Sequence, residues 1–240
     1  WTGRGTTILS SSGFGIAWNG SLWVAVGQGT NTIATSPDGI NWTGRGNSIF
    51  NSVGYGIAFN NKRENKITFP SNLMVAVGEG TSNTIATSPD GINWTGRGKT
   101  IFDTTGYGIA WNGSLWVAVG YSYGTNHTIA TSTDGINWTG RGKTIFSSNS
   151  RGIAWNGSLW VAVGSGINTI ATSPDGINWT GRGTTIFNDG NGISIAWNGS
   201  LWVAGGGGGG STNSIATSPD GINWTGRGIT MFSSYGFGIA

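Results

Sequence analysis

Apolar residues along this chain fall into short runs separated by turn-forming residues, and the whole pattern repeats. The first complete copy, residues 15–46, begins Gly-Ile-Ala-Trp-Asn-Gly-Ser-Leu-Trp-Val-Ala-Val-Gly and ends Ser-Pro-Asp-Gly-Ile-Asn-Trp-Thr-Gly-Arg-Gly. No run shows the 3.6-residue period of a helix, which argues against a coiled coil or a helical solenoid. Self-similarity at a period of this length predicts an array of identical supersecondary units.

Within one copy the pattern predicts four strands. These are Gly15–Asn19, Leu22–Gly27, Thr32–Ser36 and Ile40–Arg45. An Asn-Gly turn between the first two strands is a strong hairpin signal, because both residues tolerate positive φ. A Ser-Pro-Asp-Gly turn joins the last two, with proline fixing φ and glycine taking the left-handed conformation.

Four short antiparallel strands in each unit are typical of a β-propeller blade. The sequence therefore predicts an all-β fold, a β-propeller of four-stranded antiparallel blades, forming a single domain over residues 1–240. The complete repeats are 15–46, 56–98, 108–142, 152–183 and 194–228, with partial segments 1–14 and 229–240. Five blades are preferred. Six is the alternative if the sequence is a fragment of a longer array.

The copies differ in length at three joints. The largest difference is an insertion at 61–72, inside a hairpin that is tight in the other copies. Shorter insertions follow the second strand in the second, third and fifth copies, and one more residue enters near Gly190–Ser194. We expect these joints to be surface loops, where length varies at little expense in stability.

Composition narrows the function classes. Charged residues make up only 9% of the 240 residues, the net charge is +3, and there are 14 Trp and no Cys. The chain is too aromatic for a disordered protein, and no apolar run is long enough for a membrane span. Without a clustered basic face we expect no nucleic-acid partner. The absence of cysteine fits any compartment.

Residues with catalytic chemistry are few. His127 is the only histidine, lies in a lengthened loop and is expected to be solvated. No Ser/His/Asp set, metal cluster or phosphate-binding motif occurs, so we expect no catalytic residue, no metal and no cofactor. An arginine recurs at the end of each fourth strand, where we expect it to cover a tryptophan and pair with an acid or a carbonyl.

The turn between the third and fourth strands resembles the Asp-box of sialidase-like propellers. The motif is Ser-Pro-Asp-Gly-Ile-Asn-Trp at Ser36–Trp42, Ser88–Trp94, Ser173–Trp179 and Ser218–Trp224, with Ser132-Thr133-Asp134 in the third copy. It has one residue fewer between Asp and Trp than the family pattern. The resemblance implies a structural turn, not a catalytic site, at Asp38, Asp90, Asp134, Asp175 and Asp220.

A second resemblance is to five-bladed tachylectin-type lectins, carried by Asn178–Ile186. It implies binding of amino sugars once in each blade. The candidate ligand residues lie on the face where the second-to-third strand loops and the linkers between blades emerge. They are the loop asparagines Asn31, Asn83, Asn126, Asn168 and Asn213, and the linker residues Phe14, Tyr55, Tyr107 and Phe237, with Arg151 at the same linker position.

The first functional hypothesis is thus a non-catalytic, multivalent binding module whose partners are glycans. An aromatic face beside an amide suits a sugar, although the aromatic residues could instead plug gaps between blades. The alternative is a structural or assembly protein of a cell surface or virion with no small ligand. Residues 1–17 and 224–240 are the same part of the repeat, and a redundant strand edge could support self-association.

Overall fold

The computed structural model describes residues 5–60, 73–125, 127–188, 190–208 and 210–238. Within these ranges the chain forms strands and turns and no helix. Unit one comprises β1 (Ser12–Trp18), β2 (Trp23–Gln28), β3 (Ile33–Ser36) and β4 (Thr43–Gly44). Unit two comprises β5 (Val53–Phe59), β6 (Met74–Glu79), β7 (Ile85–Ser88) and β8 (Thr95–Gly96).

The remaining strands repeat this order. Unit three comprises β9 (Thr105–Trp111), β10 (Trp116–Tyr121), β11 (Ile129–Ser132) and β12 (Thr139–Gly140). Unit four comprises β13 (Asn149–Trp155), β14 (Trp160–Ser165), β15 (Ile170–Ser173) and β16 (Thr180–Gly181). Unit five comprises β17 (Asn191–Trp197), β18 (Trp202–Gly207), β19 (Ile215–Ser218) and β20 (Thr225–Gly226). In every unit the four strands pair antiparallel in sequence order, as the sequence predicts.

Successive units pack side by side along their first strands. β1 packs on β5, β5 on β9, β9 on β13 and β13 on β17. In units one to four, single bridges join the second strand of one unit to the first strand of the next, as between Gln28 and Val53, while the strands of unit five form a separate sheet. The series is not closed, because β17 does not pack on β1 in this way. Accordingly Ile16 of β1 is 57% exposed, whereas its equivalent Ile109 is 8% exposed.

The described residues therefore form five four-stranded units in an open, propeller-like arrangement. The number of blades in a closed ring stays a prediction.

The core lies between neighbouring units. Val24, Val26 and Ile33 of unit one pack against Met74 and Ala76 of unit two, and the same contacts recur at the other interfaces. Valines and isoleucines fill these surfaces because β-branched side chains pack well on a pleated sheet.

A phenylalanine from the linker between units seals each interface. Phe50, Phe102, Phe146 and Phe187 are all fully buried. A Cβ atom added at Gly78 would lie 2.9 Å from the ring of Phe50, so the second strand needs glycine where the ring lies on it.

The first and fourth strands differ from the prediction. β1 begins at Ser12, earlier than the predicted Gly15, because a β-bulge lets pairing with β2 continue to Gln28. β4 contains two residues in place of the predicted Ile40–Arg45. The reason is that Ile40 and Asn41 belong to the preceding turn, where both backbone N–H groups donate to Asp38 Oδ1 at 2.8 and 2.7 Å.

The predicted Asp turn is built the same way in every unit. Asp175 Oδ1 accepts from the backbone N–H of Ile177 at 2.8 Å and of Asn178 at 2.7 Å. The Ser173 hydroxyl also donates to it at 3.0 Å. These bonds, led by the N–H of Asn178, hold the pKa of Asp175 well below its usual range. The carboxylate therefore caps its own turn, which is a structural role.

Both terminal segments make contacts. Leu9 packs on Gly27 of β2, where the other units have phenylalanine. Near the other end, Tyr235 forms an isolated bridge with Gly207, and the Gly236 N–H donates to the Gly206 carbonyl at 2.9 Å. Phe232, equivalent to Leu9, is 47% exposed. The segments expected to be redundant thus both pack on the unit next to them.

The insertion at 61–72 lies outside the described residues, and the prediction of a surface loop there stays a prediction. The strand before it, β5, ends at Phe59, and the strand after it, β6, begins at Met74.

Replacing Asp175 with alanine should lower the free energy of unfolding by about 1 kcal/mol at neutral pH, because it removes the acceptor of an exposed turn. The folded-state pKa is depressed, so this contribution is complete above about pH 5, begins to fall below about pH 4, and is fully lost only once the pH passes below the depressed pKa of the folded state. Urea melts of wild type and Asp175→Ala at pH 7 and pH 3 measure both effects. An equal loss of stability in Asp175→Ala at the two pH values would contradict the role of the Asp175 carboxylate as the cap of its turn.

Candidate functional site

Residues at one equivalent position in each unit converge on a single pocket. This pocket, called the central pocket below, has a volume of about 680 Å³ and is lined by Gly13, Phe14, Tyr55, Tyr107, Arg151, Ile193, Phe237 and Gly238. The structure therefore brings together the linker residues that the sequence singled out, which come from units one to four and from the segment after unit five. Ile193 of unit five joins them.

A β-bulge in each first strand directs these side chains into the pocket. In β1 the pairing with β2 skips from Gly13 to Gly15, which leaves Phe14 as the bulged residue. The same irregularity isolates Tyr55, Tyr107, Arg151 and Ile193 in the other first strands. Bulges re-aim a side chain without ending the strand, and they are common beside binding sites.

The glycine that follows the bulge in units one to four lets neighbouring first strands approach closely. A Cβ atom added at Gly15 would lie 3.1 Å from the Tyr55 carbonyl oxygen, and one at Gly56 would lie 3.0 Å from the Tyr107 carbonyl oxygen. Tight spacing of the strands places successive rings in contact. The Phe14 and Tyr55 centroids are 5.1 Å apart.

The aromatic series continues from Tyr55 to Tyr107, whose centroids are 5.2 Å apart with an edge-on geometry. The Arg151 guanidinium then lies 5.3 Å from the Tyr107 ring centroid, a cation–π distance. Burial raises the pKa of Tyr55, and the charges of Glu79 and Tyr107 add to the effect while Arg151 opposes it. The wall of the pocket is thus a row of rings ending in one cation.

The loop asparagines lie elsewhere. Asn168 Nδ2 donates to the Ile145 carbonyl at 2.8 Å, and Asn168 Oδ1 accepts from the Gly183 N–H at 2.9 Å. Each of these side chains links the backbone of the linker before its unit to the end of the unit's fourth strand. The same pair of bonds is made by Asn31, Asn83 and Asn213. None of these four asparagines lines the central pocket.

In unit three this position belongs to His127. The Gly142 N–H donates to His127 Nδ1 at 3.1 Å, the bond that asparagine Oδ1 accepts in the other units. The expectation that His127 is a solvated loop residue is therefore wrong, because its ring packs on Gly140 of β12 and holds a backbone N–H. Asn126, which the sequence assigned to this position, lies outside the described residues.

The recurring Asp and Arg residues have structural partners. Arg182 Nε and Nη2 donate to the Thr172 hydroxyl at 3.0 and 2.6 Å, in place of the expected acid or carbonyl. Asp38, Asp90, Asp134, Asp175 and Asp220 all lie in the turns described above. Among the described residues no group of three or more His, Asp or Glu side chains is placed to hold a metal ion.

Sequence reasoning missed three residues that line the pocket, the glycines Gly13 and Gly238 and one larger side chain, Ile193. The fifth copy has an extra residue in the preceding linker, so Ile193 takes the place of Arg151, and Ser194 the place of the glycine after the bulge. Aligning the apolar Ile-Ala-Trp runs backward into the linker would have revealed it. Within the described ranges no helix is long and apolar enough to cross a membrane.

Comparison with known proteins supports the fold. No protein-family model matches the sequence, and no curated protein does. A chain in the crystal structure of a nidogen/laminin complex is similar, with a TM-score of 0.63 and 13% identity over 89% of this chain and 78% of that chain. The chain is a β-propeller-like repeat protein.

A second similar structure is the crystal structure of the computationally designed Ika8 protein. Its TM-score is 0.53 at 14% identity, covering 87% of this chain and 58% of the designed one. This chain thus spans 58% of the length of the designed protein. At these identities the likeness is one of fold.

Replacing His127 with asparagine should leave the stability at pH 7 unchanged or slightly higher, because asparagine supplies the same acceptor in four other units. His127→Ala, which removes the acceptor of the Gly142 N–H, should lower the free energy of unfolding by about 1 kcal/mol. Thermal melts of wild type and both variants at pH 7 test the role. Equal stability of the alanine and asparagine variants would exclude it.

Proposed function

We propose that this protein is a non-catalytic binding module whose ligand site is the central pocket and whose ligand is a glycan. The observation that carries the proposal is the convergence of the bulged residues. The Ile-Ala segment that follows it in the first strand is the same in every unit, while the bulge position holds Phe, Tyr, Tyr, Arg, Ile and Phe in turn. A constant strand that presents varied side chains to one shared pocket is expected of a recognition surface.

The chemistry of the pocket fits a saccharide. Tyr55 and Tyr107 offer apolar faces with hydroxyl groups at their tips, and Phe14 adds a half-exposed ring. Pockets of several hundred Å³ with an apolar wall and few polar groups commonly bind small ligands. The tachylectin-type resemblance of Asn178–Ile186 also favours an amino sugar. A similar fold occurs in the nidogen/laminin complex, which is an assembly of binding partners.

The geometry favours one central site over one site in each unit. A site in every unit would need an aromatic ring and a free amide side by side. The asparagine amides are instead bonded to backbone, and the rings meet at the centre. We therefore infer a single ligand for each chain rather than multivalent binding.

Replacing Tyr107 with alanine should lower glycan affinity at least tenfold, because the ring lies in the middle of the aromatic row and contacts both Tyr55 and Arg151. Tyr123→Ala is the matched control, since Tyr123 is 81% exposed outside the pocket. A glycan array identifies the ligand for wild type, and titration calorimetry compares the variants. Equal affinities for both variants would place the site elsewhere.

A second candidate function, an assembly element, rests on the outer face of unit one. Ile16 and Trp18 are 57% and 41% exposed there. Beside them is a groove of about 260 Å³ lined by Gly5, Ile8, Leu9, Gly13, Ala25, Ala34 and Trp42. At the interior interfaces the neighbouring unit covers the equivalent surface, so this face suits contact with another chain.

If this face mediates assembly, Ile16→Lys should abolish concentration-dependent association, because a charge cannot be buried there without a partner. Ile167→Lys, on an exposed loop with Ile167 60% exposed, should associate as wild type does. Light scattering over a hundredfold range of concentration reports the result. A wild-type protein that is monomeric throughout would remove this candidate.

A further inference from the structure

Among the residues that the structure describes, Arg151 is the only charged one that lines the central pocket. It occupies the bulge position that holds an aromatic residue in units one, two and three. Its Nε donates to Asn149 Oδ1 at 3.2 Å, and its guanidinium lies over the Tyr107 ring. The hydrogen bond and the ring contact together restrain the guanidinium before any ligand arrives.

The outer nitrogens of Arg151 are unused within the described part of the chain. Its Nη1 and Nη2 make no hydrogen bond there, and no acid pairs with it. The arginines at the strand ends contrast with it, since Arg97 and Arg141 place both Nε and Nη2 on a threonine hydroxyl. A fixed guanidinium with two free donors matches a carboxylate or a sulfate, which can accept both at once.

The rest of the pocket limits the charge of the ligand. Among the described residues no second cation lines it. A polyanion would therefore find only one cationic partner in the described lining of the pocket. The aromatic row beside the cation suits the apolar face of a sugar ring, with the anionic group at the Arg151 end.

We propose that the central pocket selects a saccharide carrying one anionic group, and that Arg151 is the residue that determines this specificity. The inference rests on the proposed function and names its ligand class. A carboxylate and a sulfate ester each carry one negative charge and at least two oxygens that can accept from a guanidinium, so the shared chemistry is a single oxyanion on a sugar.

The test compares ligands that differ only in charge. The ligands are methyl glycosides of neutral hexoses, of N-acetylated amino sugars and of free uronic acids, together with the 6-sulfated hexosides and amino sugars. Each is used in gluco, galacto and manno configuration and is titrated against the full chain by calorimetry. Wild type should bind the best uronide or sulfate at least tenfold more tightly than its neutral counterpart, as expected for a charged hydrogen-bonded pair. The preference should weaken as salt is raised.

Arg151→Tyr is the decisive variant, because tyrosine occupies the same position in units two and three. It should bind neutral glycosides within about twofold of wild type and lose the tenfold preference for the anionic ones. Arg151→Lys keeps the charge without the planar fork, and should retain part of the preference. Thermal melts of both variants establish that they fold.

The possible outcomes distinguish a failure of the specificity assigned to Arg151 from a failure of the proposed glycan-binding function. If wild type binds neutral and anionic sugars equally, or if Arg151→Tyr weakens both alike, the specificity assigned to Arg151 is wrong while the glycan site stands. If no saccharide of either kind binds, the proposed function fails and the inference fails with it. Comparing the uronide and sulfate arms shows which oxyanion the site takes.

Discussion

The structure depends on one contact, in which each linker covers apolar surface of the unit that follows it. A four-stranded sheet of this size exposes apolar residues on both faces and cannot bury them alone. The linker phenylalanine lies on a glycine of the second strand, as Phe50 does on Gly78. An asparagine then ties the linker carbonyl to the far end of the same unit, as Asn168 does for Ile145 and Gly183. Every unit is thus locked to its neighbour by the segment that connects them.

This arrangement divides the repeat into two kinds of position. The glycine, the asparagine or histidine, the Asp turn and the arginine that bonds to threonine all have internal partners, so the fold dictates their identity. The bulged residue of the first strand makes none of these contacts. Its side chain points away from the sheet contacts, and the position holds Phe, Tyr, Arg or Ile in different units. An invariant scaffold can therefore carry a variable pocket without loss of stability, in the manner of loops that bear function on a rigid frame.

The sequence was sufficient to predict the units because their signals are local. The Asn-Gly hairpin, the Pro-Asp-Gly turn and the alternating valines each specify a strand or a turn within a few residues. The errors came where a side chain competes with backbone pairing. Asp38 takes the N–H groups of Ile40 and Asn41 and so shortens the fourth strand. His127 accepts from the Gly142 N–H where the other four units use an asparagine, and residue propensities do not predict this replacement.

The candidate site could be predicted only in part. The linker aromatics were visible in the sequence. Whether each lies beside an asparagine of its own unit or beside an aromatic residue of the next unit depends on a β-bulge, and this bulge has no fixed sequence signature. Once the bulge turns Phe14, Tyr55 and Tyr107 toward the centre, the spacing of the first strands sets the rings about 5 Å apart. First strands that pack this closely leave no room for a ligand between neighbouring units. They leave one open space at the centre, which is the pocket. The crowding of the first strands, which stabilises the array, is also what gathers the variable residues into a single pocket.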